Sequence, residues 1–411
     1  MQGYFMTTIT VFMLLLSSVA MAELNGTQIV LKSGDHAGVN VPVEIALETD
    51  EAPAMIEVVC SESGKKFPAT LRDGKLTFLM EKVPANAERT VTIAVSDRPD
   101  DKPARVMVTR KADEDIVDVV IDGVHFTSYH YSDDWKKPFL WPVNCEGGVC
   151  ITRNYPMDRE GTPRFARDHP HHKSVWSAYG EVNDHDFWGE GSGSGNQVVK
   201  EVTFGSGDAY GWILSVNVWE DKDGTPIIKE TREYRFYATP DHSRLFDTKV
   251  TFSAEYGEVL FSDTKEGGIV SARMRADICG PKGIITNALG DVGERNAWGK
   301  PSPWCDFSGD IKDVGMRGLT IFDHPGNLRH PSSWHVRTYG LMGANAFGYS
   351  YFSEKEHNKG LIPENGDYTF AANDVLTFNY RIYVHSGTVE EAAVAARYSD
   401  YANAPAAALA Q

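Results

Sequence analysis

Short segments in which apolar and polar residues alternate recur along most of the chain, and they constrain its fold more than any other feature. A period of two puts every second side chain on one face, which is the pattern of a half-buried β-strand. Turn-forming residues separate the segments at spacings typical of antiparallel sheets. The segments are 41–47, 55–59, 75–80 and 90–95, followed by the longer 116–122, 211–219, 227–237, 244–252 and 376–385.

These segments predict an all-β protein built from two units. We predict a small β-sandwich of the immunoglobulin type over residues 23–111, with an accessory role, and a large antiparallel β-sandwich over residues 112–411. The polar stretches 96–103 and 111–115 bracket the boundary, and one helix is predicted at 389–398. Every tryptophan and all but one of the 13 histidines follow the boundary, so we expect the catalytic site in the larger unit.

Charge and hydropathy exclude several classes of protein. The 40 Lys and Arg residues stand against 57 Asp and Glu, a formal charge of −17, which argues against binding to nucleic acid or to anionic lipid. An apolar run at 11–16 followed by Ala20, Met21 and Ala22 predicts a signal peptide over residues 1–22 and a periplasmic or secreted protein. No later segment is apolar enough to span a bilayer, so we expect no membrane insertion after cleavage.

The five cysteines fit an oxidising compartment. Cys145 and Cys150 flank a Gly-Gly turn that a disulfide could clip, and Cys279 and Cys305 could form a second bridge, which would leave Cys60 unpaired. The spacing fits neither a thiolate zinc site nor a redox motif.

Histidines and carboxylates concentrate at 168–172, Asp-His-Pro-His-His. If the chain is extended there, His169 and His171 share one face while Asp168 and His172 share the other. Neutral imidazoles placed in this way can transfer a proton or bind a metal. A divalent metal is one hypothesis, metal-free chemistry is another, and a surface loop with capping histidines is a third. The candidate metal ligands are Asp168, His169, His171 and His185, with His335 as an alternative fourth ligand.

Other candidates come from later segments. His335, Arg337 and Tyr339 share a face if their segment is a strand, which would place a base, a cation and a phenol side by side. Arginine binds carboxylates through two parallel hydrogen bonds, so an acidic sugar is a sensible ligand. The catalytic candidates are His169, His171, His335, Tyr339 and Glu266, and the substrate-binding candidates are Arg153, His172, Lys265, Arg337, Trp304, Trp334 and His330.

The glycine-rich segment 189–195 lacks the residues of a nucleotide-binding loop, and we interpret it as a flexible loop beside the histidines that could close over a ligand.

Five ordered motifs resemble those of an exported bacterial family labelled "methane oxygenase PmoA", and the resemblance covers roughly residues 116–386. The resemblance implies a mutarotase-like supersandwich and a setting in polysaccharide degradation, without a catalytic assignment. The label does not fit the chain, because a membrane methane monooxygenase subunit consists of transmembrane helices. The motifs lie at 152–157, 168–172, 263–267, 322–327 and 334–340.

Two functional hypotheses follow. In the first, a carbohydrate-active enzyme cleaves a glycosidic bond in an oligosaccharide or polysaccharide fragment by lyase or hydrolase chemistry. A histidine would be the base, Tyr339 or Glu266 the acid, and Arg337 and Lys265 would neutralise developing negative charge. In the alternative, the protein binds carbohydrate without catalysis, through aromatic faces such as those of Trp304 and Trp334.

Overall fold

The computed structural model describes residues 24–47, 49, 55–99, 101–241 and 243–410. The predicted signal peptide lies outside this part of the chain. Within the part described, antiparallel strands dominate, and no helix is long and apolar enough to cross a membrane. The prediction of an all-β protein is confirmed.

The strands are β1 (Gln28–Lys32), β2 (Gly38–Ala46), β3 (Met55–Cys60), β4 (Lys66–Arg72), β5 (Lys75–Val83), β6 (Glu88–Ser96), β7 (Val106–Arg110), β8 (Ile116–Ile121), β9 (Val124–His130), β10 (Phe139–Val143), β11 (Val175–Tyr179), β12 (Asn196–Gly205), β13 (Tyr210–Glu220), β14 (Pro226–Tyr237), β15 (Arg244–Ser253), β16 (Val259–Phe261), β17 (Gly267–Arg273), β18 (Gly283–Asn287), β19 (Trp304–Ile311), β20 (Gly315–Asp323), β21 (Ser333–Arg337), β22 (Leu341–Asn345), β23 (Tyr368–Phe370), β24 (Val375–Ser386) and β25 (Ala406–Leu409).

The N-terminal strands form one seven-stranded sheet in the order β2-β5-β4-β3-β6-β1-β25. Its edge strands β2 and β25 come into contact, so the sheet curls around an apolar core of its own. One continuous sheet thus supplies both faces of the small unit.

Two strands pair with the sheet of the other unit, across the domain boundary that was predicted after residue 111. Strand β7 pairs with β8 in the larger unit, and β25, from the C-terminus, pairs with β1 in the smaller one. The chain therefore crosses between the units twice.

The larger unit contains two eight-stranded sheets, and apolar side chains from both contribute to one core. Sheet I has the order β21-β22-β17-β11-β10-β9-β8-β7, and sheet II has the order β12-β13-β14-β15-β24-β20-β19-β18. A separate two-stranded sheet pairs β16 with β23.

Strand β14 shows why the alternation of apolar and polar residues in the sequence predicted the strands well. Ile228 and Phe236 are fully buried on its inner face, and burying such side chains stabilises the fold by about 1.5–3 kcal/mol each. Glu230 and Arg232 lie between them on the same face, equally buried, and pair with each other at 2.6 Å. The indole N–H of Trp219 also donates to Glu230 at 2.7 Å. The buried charges are therefore paired, as their removal from water requires.

In the described residues after the N-terminal sheet, the α-helices are α1 (Glu294–Ala297), α2 (Tyr349–Ser353) and α3 (Val394–Ala402). The helix predicted at 389–398 begins later than expected and ends later. Its observed start follows Ala393, which has a left-handed backbone (φ 50°) that a helix cannot contain.

All five cysteines are free thiols, so neither predicted disulfide is present. Cys145 and Cys150 instead approach backbone carbonyl oxygens. Cys305 is fully buried in β19.

Candidate active site

A cavity of about 1010 Å³ opens beside sheet I, where β11, β17 and β21 meet the loops that follow or precede them. Eight residues proposed from the sequence line it, although they come from three distant segments of the chain. Antiparallel pairing of β11 with β17, of β17 with β22 and of β22 with β21 brings those segments together. The eight are His169, His171, His172, Lys265, Glu266, His335, Arg337 and Tyr339.

Arg153 holds the histidine loop in place. Its guanidinium donates to the backbone carbonyls of His169 (2.8 Å) and His172 (3.0 Å), and to the Asp168 carboxylate at 2.6 Å. Arg153 is buried and does not line the cavity, contrary to its predicted role in binding substrate. It is a positioning residue for the loop.

Asp168 joins two guanidinium groups. Its Oδ1 accepts from Arg153 and from Arg273 at 2.7 Å, and its Oδ2 lies 3.0 Å from Nδ1 of His169. Burial alone would raise the pKa of Asp168, but Arg273, His169 and Arg153 outweigh it and lower the pKa. The carboxylate is therefore ionised and fully engaged.

The predicted metal site is not assembled. No group of three or more His, Cys, Asp or Glu side chains in the described ranges is arranged to hold a metal ion. Asp168 faces two arginines that would repel a cation, and His185 lies in a β-bridge with Val182 outside the cavity lining.

The histidine loop is a turn, so the prediction of an extended segment was wrong. His169 has a left-handed backbone (φ 41°), and the N–H of His172 donates to its carbonyl oxygen at 3.0 Å. The turn places the ring of His169 beside those of His172 and Tyr339, each at a centroid distance of 5.0 Å, while the latter two rings are 6.3 Å apart. His171 meets His172 edge-on at 4.3 Å.

His172 is a neutral imidazole of defined tautomer. A guanidinium can only donate, so Nδ1 of His172 accepts from Arg273 at 3.0 Å and the ring proton is on Nε2. Burial lowers the pKa of His172 well below its ordinary value, and neighbouring His171 and Arg273 add to the effect. Nε2 has no hydrogen-bond partner among the described residues.

His171 and His335 are neutral for similar reasons. Burial lowers the pKa of His171 to about 4, with Lys137 contributing in the same direction. Burial lowers the pKa of His335 to about 3, and the nearby cations Arg337 and Lys265 contribute. His335 is 2% exposed, and neither of its ring nitrogens makes a hydrogen bond of good geometry within the described chain, although a contact with the backbone of Lys265 opposes part of the lowering of its pKa. His171 is partly exposed.

Tyr339 supplies a protonated phenol to the same wall. Its ring lies 4.3 Å from the Arg273 guanidinium and stacks on His169. Burial raises the pKa of Tyr339, and Arg273 offsets this only in part, so the phenol is a proton donor at neutral pH.

Both cations in the lining are already paired. Lys265 forms an ion pair with Glu266. Arg337 donates to Glu294 at 2.9 Å and lies over the ring of Trp298, 5.3 Å from its centroid. The pairing compensates the charge of Arg337 through one of its terminal nitrogens, and its role in binding substrate stays a prediction.

Sequence reasoning missed a buried cluster behind His171. Lys137 lies 3.0 Å from Glu190, Lys173 pairs with the same carboxylate, and Lys137 also donates to the carbonyl of Trp188 at 2.7 Å. Burial lowers the pKa of Lys173 to about 8, with Lys137 acting in the same direction. The position of Lys173 directly after the histidines was the available signal.

The glycine-rich segment is tied down by polar contacts. Besides the ion pairs of Glu190, the Ser194 hydroxyl donates to Asp186 at 2.7 Å, and the N–H groups of Trp188 and Gly189 donate to the same carboxylate. Gly189, the first residue of the segment, therefore forms a fixed part of the cavity wall.

Three other predicted ligand-binding residues lie elsewhere. Trp334 is fully buried and donates to the Ser302 carbonyl at 2.7 Å, and Trp304 is buried in a separate apolar cluster. His330 lies 3.0 Å from Asp323. The aromatic faces that do line the cavity belong to Trp188 and Tyr339.

Comparisons with known structures give only distant similarity. An α-mannosidase from Enterococcus faecalis V583 aligns with 9% identity and a TM-score of 0.39, covering 96% of this chain and 48% of that protein. A Glycoside Hydrolase Family 97 enzyme in complex with acarbose, from Pseudoalteromonas sp. strain K8, aligns with 8% identity and a TM-score of 0.26, covering 69% and 34%. The chain thus spans about half or less of these proteins, and no specific function follows from the similarity.

No curated protein is significantly similar to the chain in sequence. A family model described as "Family of unknown function (DUF6807)" matches residues 116–399, which contain all five motifs and the whole cavity lining. This match covers more than half of the chain and brings no functional label with it. The protein therefore belongs to the DUF6807 family of unknown function.

Proposed function

We propose that this protein is a carbohydrate-active enzyme that cleaves a glycosidic bond in an oligosaccharide by lyase or hydrolase chemistry within the cavity. The observation that carries the proposal is the cluster of histidines in one cavity wall, in which the partly exposed His171 is neutral because burial lowers its pKa to about 4. Neutral imidazoles accept protons, whereas a site that only binds sugar has no need for them.

His171 is the best-placed base. It lines the cavity and is partly exposed, so a substrate proton can reach it without movement of the wall. Its neighbour His172 is fixed by Arg273, and the ring nitrogens of His335 are covered. His169, which faces the Asp168 carboxylate, is better suited to orient Tyr339 than to remove a proton.

Tyr339 is the proposed acid, because its phenol is protonated and shares the wall with the histidines. In elimination, His171 removes a proton next to a carbonyl, the bond to the leaving oxygen breaks as a carbon–carbon double bond forms, and Tyr339 protonates that oxygen. In hydrolysis, the same base activates a water and the same acid protonates the leaving oxygen.

Two clusters with excess positive charge support a mechanism that develops negative charge near the histidines. Arg153 and Arg273 share Asp168 on one side, and Lys137 and Lys173 share Glu190 on the other. Each cluster carries a net charge of +1 when all its groups are ionised. Fixed charges in a poorly solvated wall stabilise an enolate or alkoxide more than they would in water.

The test is incubation of the chain that follows the signal peptide with neutral, acidic and 3-keto oligosaccharides, with products followed by absorbance and mass spectrometry. An unsaturated product establishes elimination, and addition of water establishes hydrolysis. We expect His171→Gln and Tyr339→Phe to lower kcat/KM by about 10²–10⁴-fold. His125→Gln is the matched control, since His125 lies on β9 outside the cavity lining.

Intact saccharides that raise Tm without being converted would instead favour the binding protein. That alternative uses Trp188 and Tyr339 as its aromatic faces, because these rings line the cavity whereas Trp304 and Trp334 do not. Binding would then survive His171→Gln.

The enzyme is proposed to act in the periplasm or outside the cell. The apolar run at 11–16 and the small residues before Glu23 support export, as does the resemblance of the five motifs to an exported family. N-terminal sequencing of protein recovered from the periplasm of a bacterial host should begin at Glu23.

A further inference from the structure

Carboxylates outnumber cations in the cavity lining. Five carboxylates face two cations, and three of the histidines that share the wall, His171, His172 and His335, are neutral. The cations are Lys265 and Arg337, and the carboxylates are Glu181, Asp184, Asp186, Glu266 and Glu294.

The partners of these groups show which charges remain available to a ligand. Glu266 and Glu294 neutralise the two cations, and Asp186 accepts three hydrogen bonds from its own loop. Glu181 and Asp184 make no side-chain hydrogen bond or ion pair with the rest of the described chain, and both are exposed. The uncompensated charge of the lining is therefore negative.

The buried cations behind the wall do not reverse this conclusion. The guanidinium nitrogens of Arg153 and Arg273 that form hydrogen bonds donate to the histidine loop and to the carbonyl of Ala166 just before it, and neither residue lines the cavity. Lys137 and Lys173 are likewise buried around Glu190. They act on the reacting centre through their field and offer no donor that could grip a carboxylate or sulfate group.

The polar atoms left unpaired in the wall belong to neutral histidine rings. His172 and His335 are each more than nine-tenths buried, and three of their four ring nitrogens have no partner in the part of the chain described. Buried polar atoms without partners are costly and rare in folded proteins. These nitrogens are covered by the wall and carry no positive charge, so they offer an acidic ligand no cation that would compensate Glu181 and Asp184.

From these observations we infer that the cavity accepts saccharides without acidic groups and selects against uronic and sulfated sugars, with Glu181 and Asp184 as the residues that determine this specificity. The inference rests on the proposed function and narrows its substrate class. Exposed charge pairs contribute little individually, so we expect a preference of roughly threefold to thirtyfold from the two carboxylates together.

The experiment measures binding of oligosaccharides matched in length to the full chain by isothermal titration, at low and at high salt. The probes are cello-oligosaccharides, deacetylated chito-oligosaccharides and oligogalacturonides, which are neutral, cationic and anionic. At low salt we expect the anionic probe to bind most weakly and the cationic probe at least as tightly as the neutral one. High salt should reduce the differences, because it screens exposed charges.

The variant Glu181→Gln/Asp184→Asn should strengthen binding of the anionic probe, relative to that of the neutral probe, by threefold to thirtyfold. Asp313→Asn/Glu62→Gln removes the same net charge at exposed positions outside the cavity lining and should change neither. Tighter binding of the anionic probe than of the neutral one by the unmodified protein would overturn the inference and leave the proposed function standing. Failure of all three probes to bind would overturn both.

Discussion

Replacing His335 by leucine measures the free-energy cost of burying an imidazole ring that makes no hydrogen bonds. The side chain is 2% exposed, and neither nitrogen is hydrogen-bonded within the described residues. A buried polar group without a partner costs about 1–3 kcal/mol. Leucine fills a similar volume and has no polar atom, so we expect His335→Leu to raise the free energy of unfolding by about 1–2 kcal/mol.

His172→Leu is the matched control, because the chemical change is the same and the environment differs in one respect. The ring of His172 accepts a hydrogen bond from Arg273 at 3.0 Å, and both residues are buried. Removing the acceptor leaves a charged donor unsatisfied, which should lower the free energy of unfolding by about 1.5–3 kcal/mol. The two substitutions should therefore act with opposite sign.

The assay is urea denaturation near neutral pH, where both rings are neutral, followed by tryptophan fluorescence and circular dichroism. If the free energy of unfolding falls with urea concentration at the same slope in each variant, the denaturation midpoints can be compared directly as stabilities. A lower midpoint for His335→Leu, similar in size to that of His172→Leu, would refute the reasoning. That result would mean that the folded protein satisfies the ring of His335 after all.

The remaining predictions concern pH, the histidine loop and the thiols. Because the pKa of His335 is about 3 in the folded protein and about 6.5 in an unfolded chain, stability present above pH 6.5 should be lost as the pH falls, by about 2 kcal/mol at pH 5; the acid dependence of the urea midpoint should be weaker in His335→Leu. Asp168→Ala removes the carboxylate shared by two buried arginines and should lower the free energy of unfolding by roughly 3 kcal/mol in the same assay. Denatured, unreduced protein should titrate as five free thiols, and a count of three or one would show disulfides.

Much of the fold and part of the site could be predicted from local patterns. The period of two in segments such as 227–237 and 376–385 depends only on neighbouring residues, and β14 and β24 formed there. His335, Arg337 and Tyr339 were expected on one face of a strand; β21 carries the first two, Tyr339 lies in the turn that follows, and all three line the cavity. Such inferences succeed because strand geometry is repeated from residue to residue.

Predictions were less successful where they depended on contacts with residues that are distant along the chain. Trp304 and Trp334 have the composition of a sugar-binding surface, yet the sheets bury both. The motif at 168–172 is equally compatible with an extended metal site and with a turn, and Arg153 and Arg273, from other parts of the chain, decide in favour of the turn.

The sequence by itself determined the strands, the all-β class and the residue types available to the site. Only the tertiary structure decided which histidines are buried and neutral, which cations are already paired and which carboxylates remain free. The physical reason is that pairing and desolvation depend on groups that are distant along the chain, such as Glu294 beside Arg337 and Lys137 behind His171. These long-range contacts turn a set of titratable residues into a site with a defined charge.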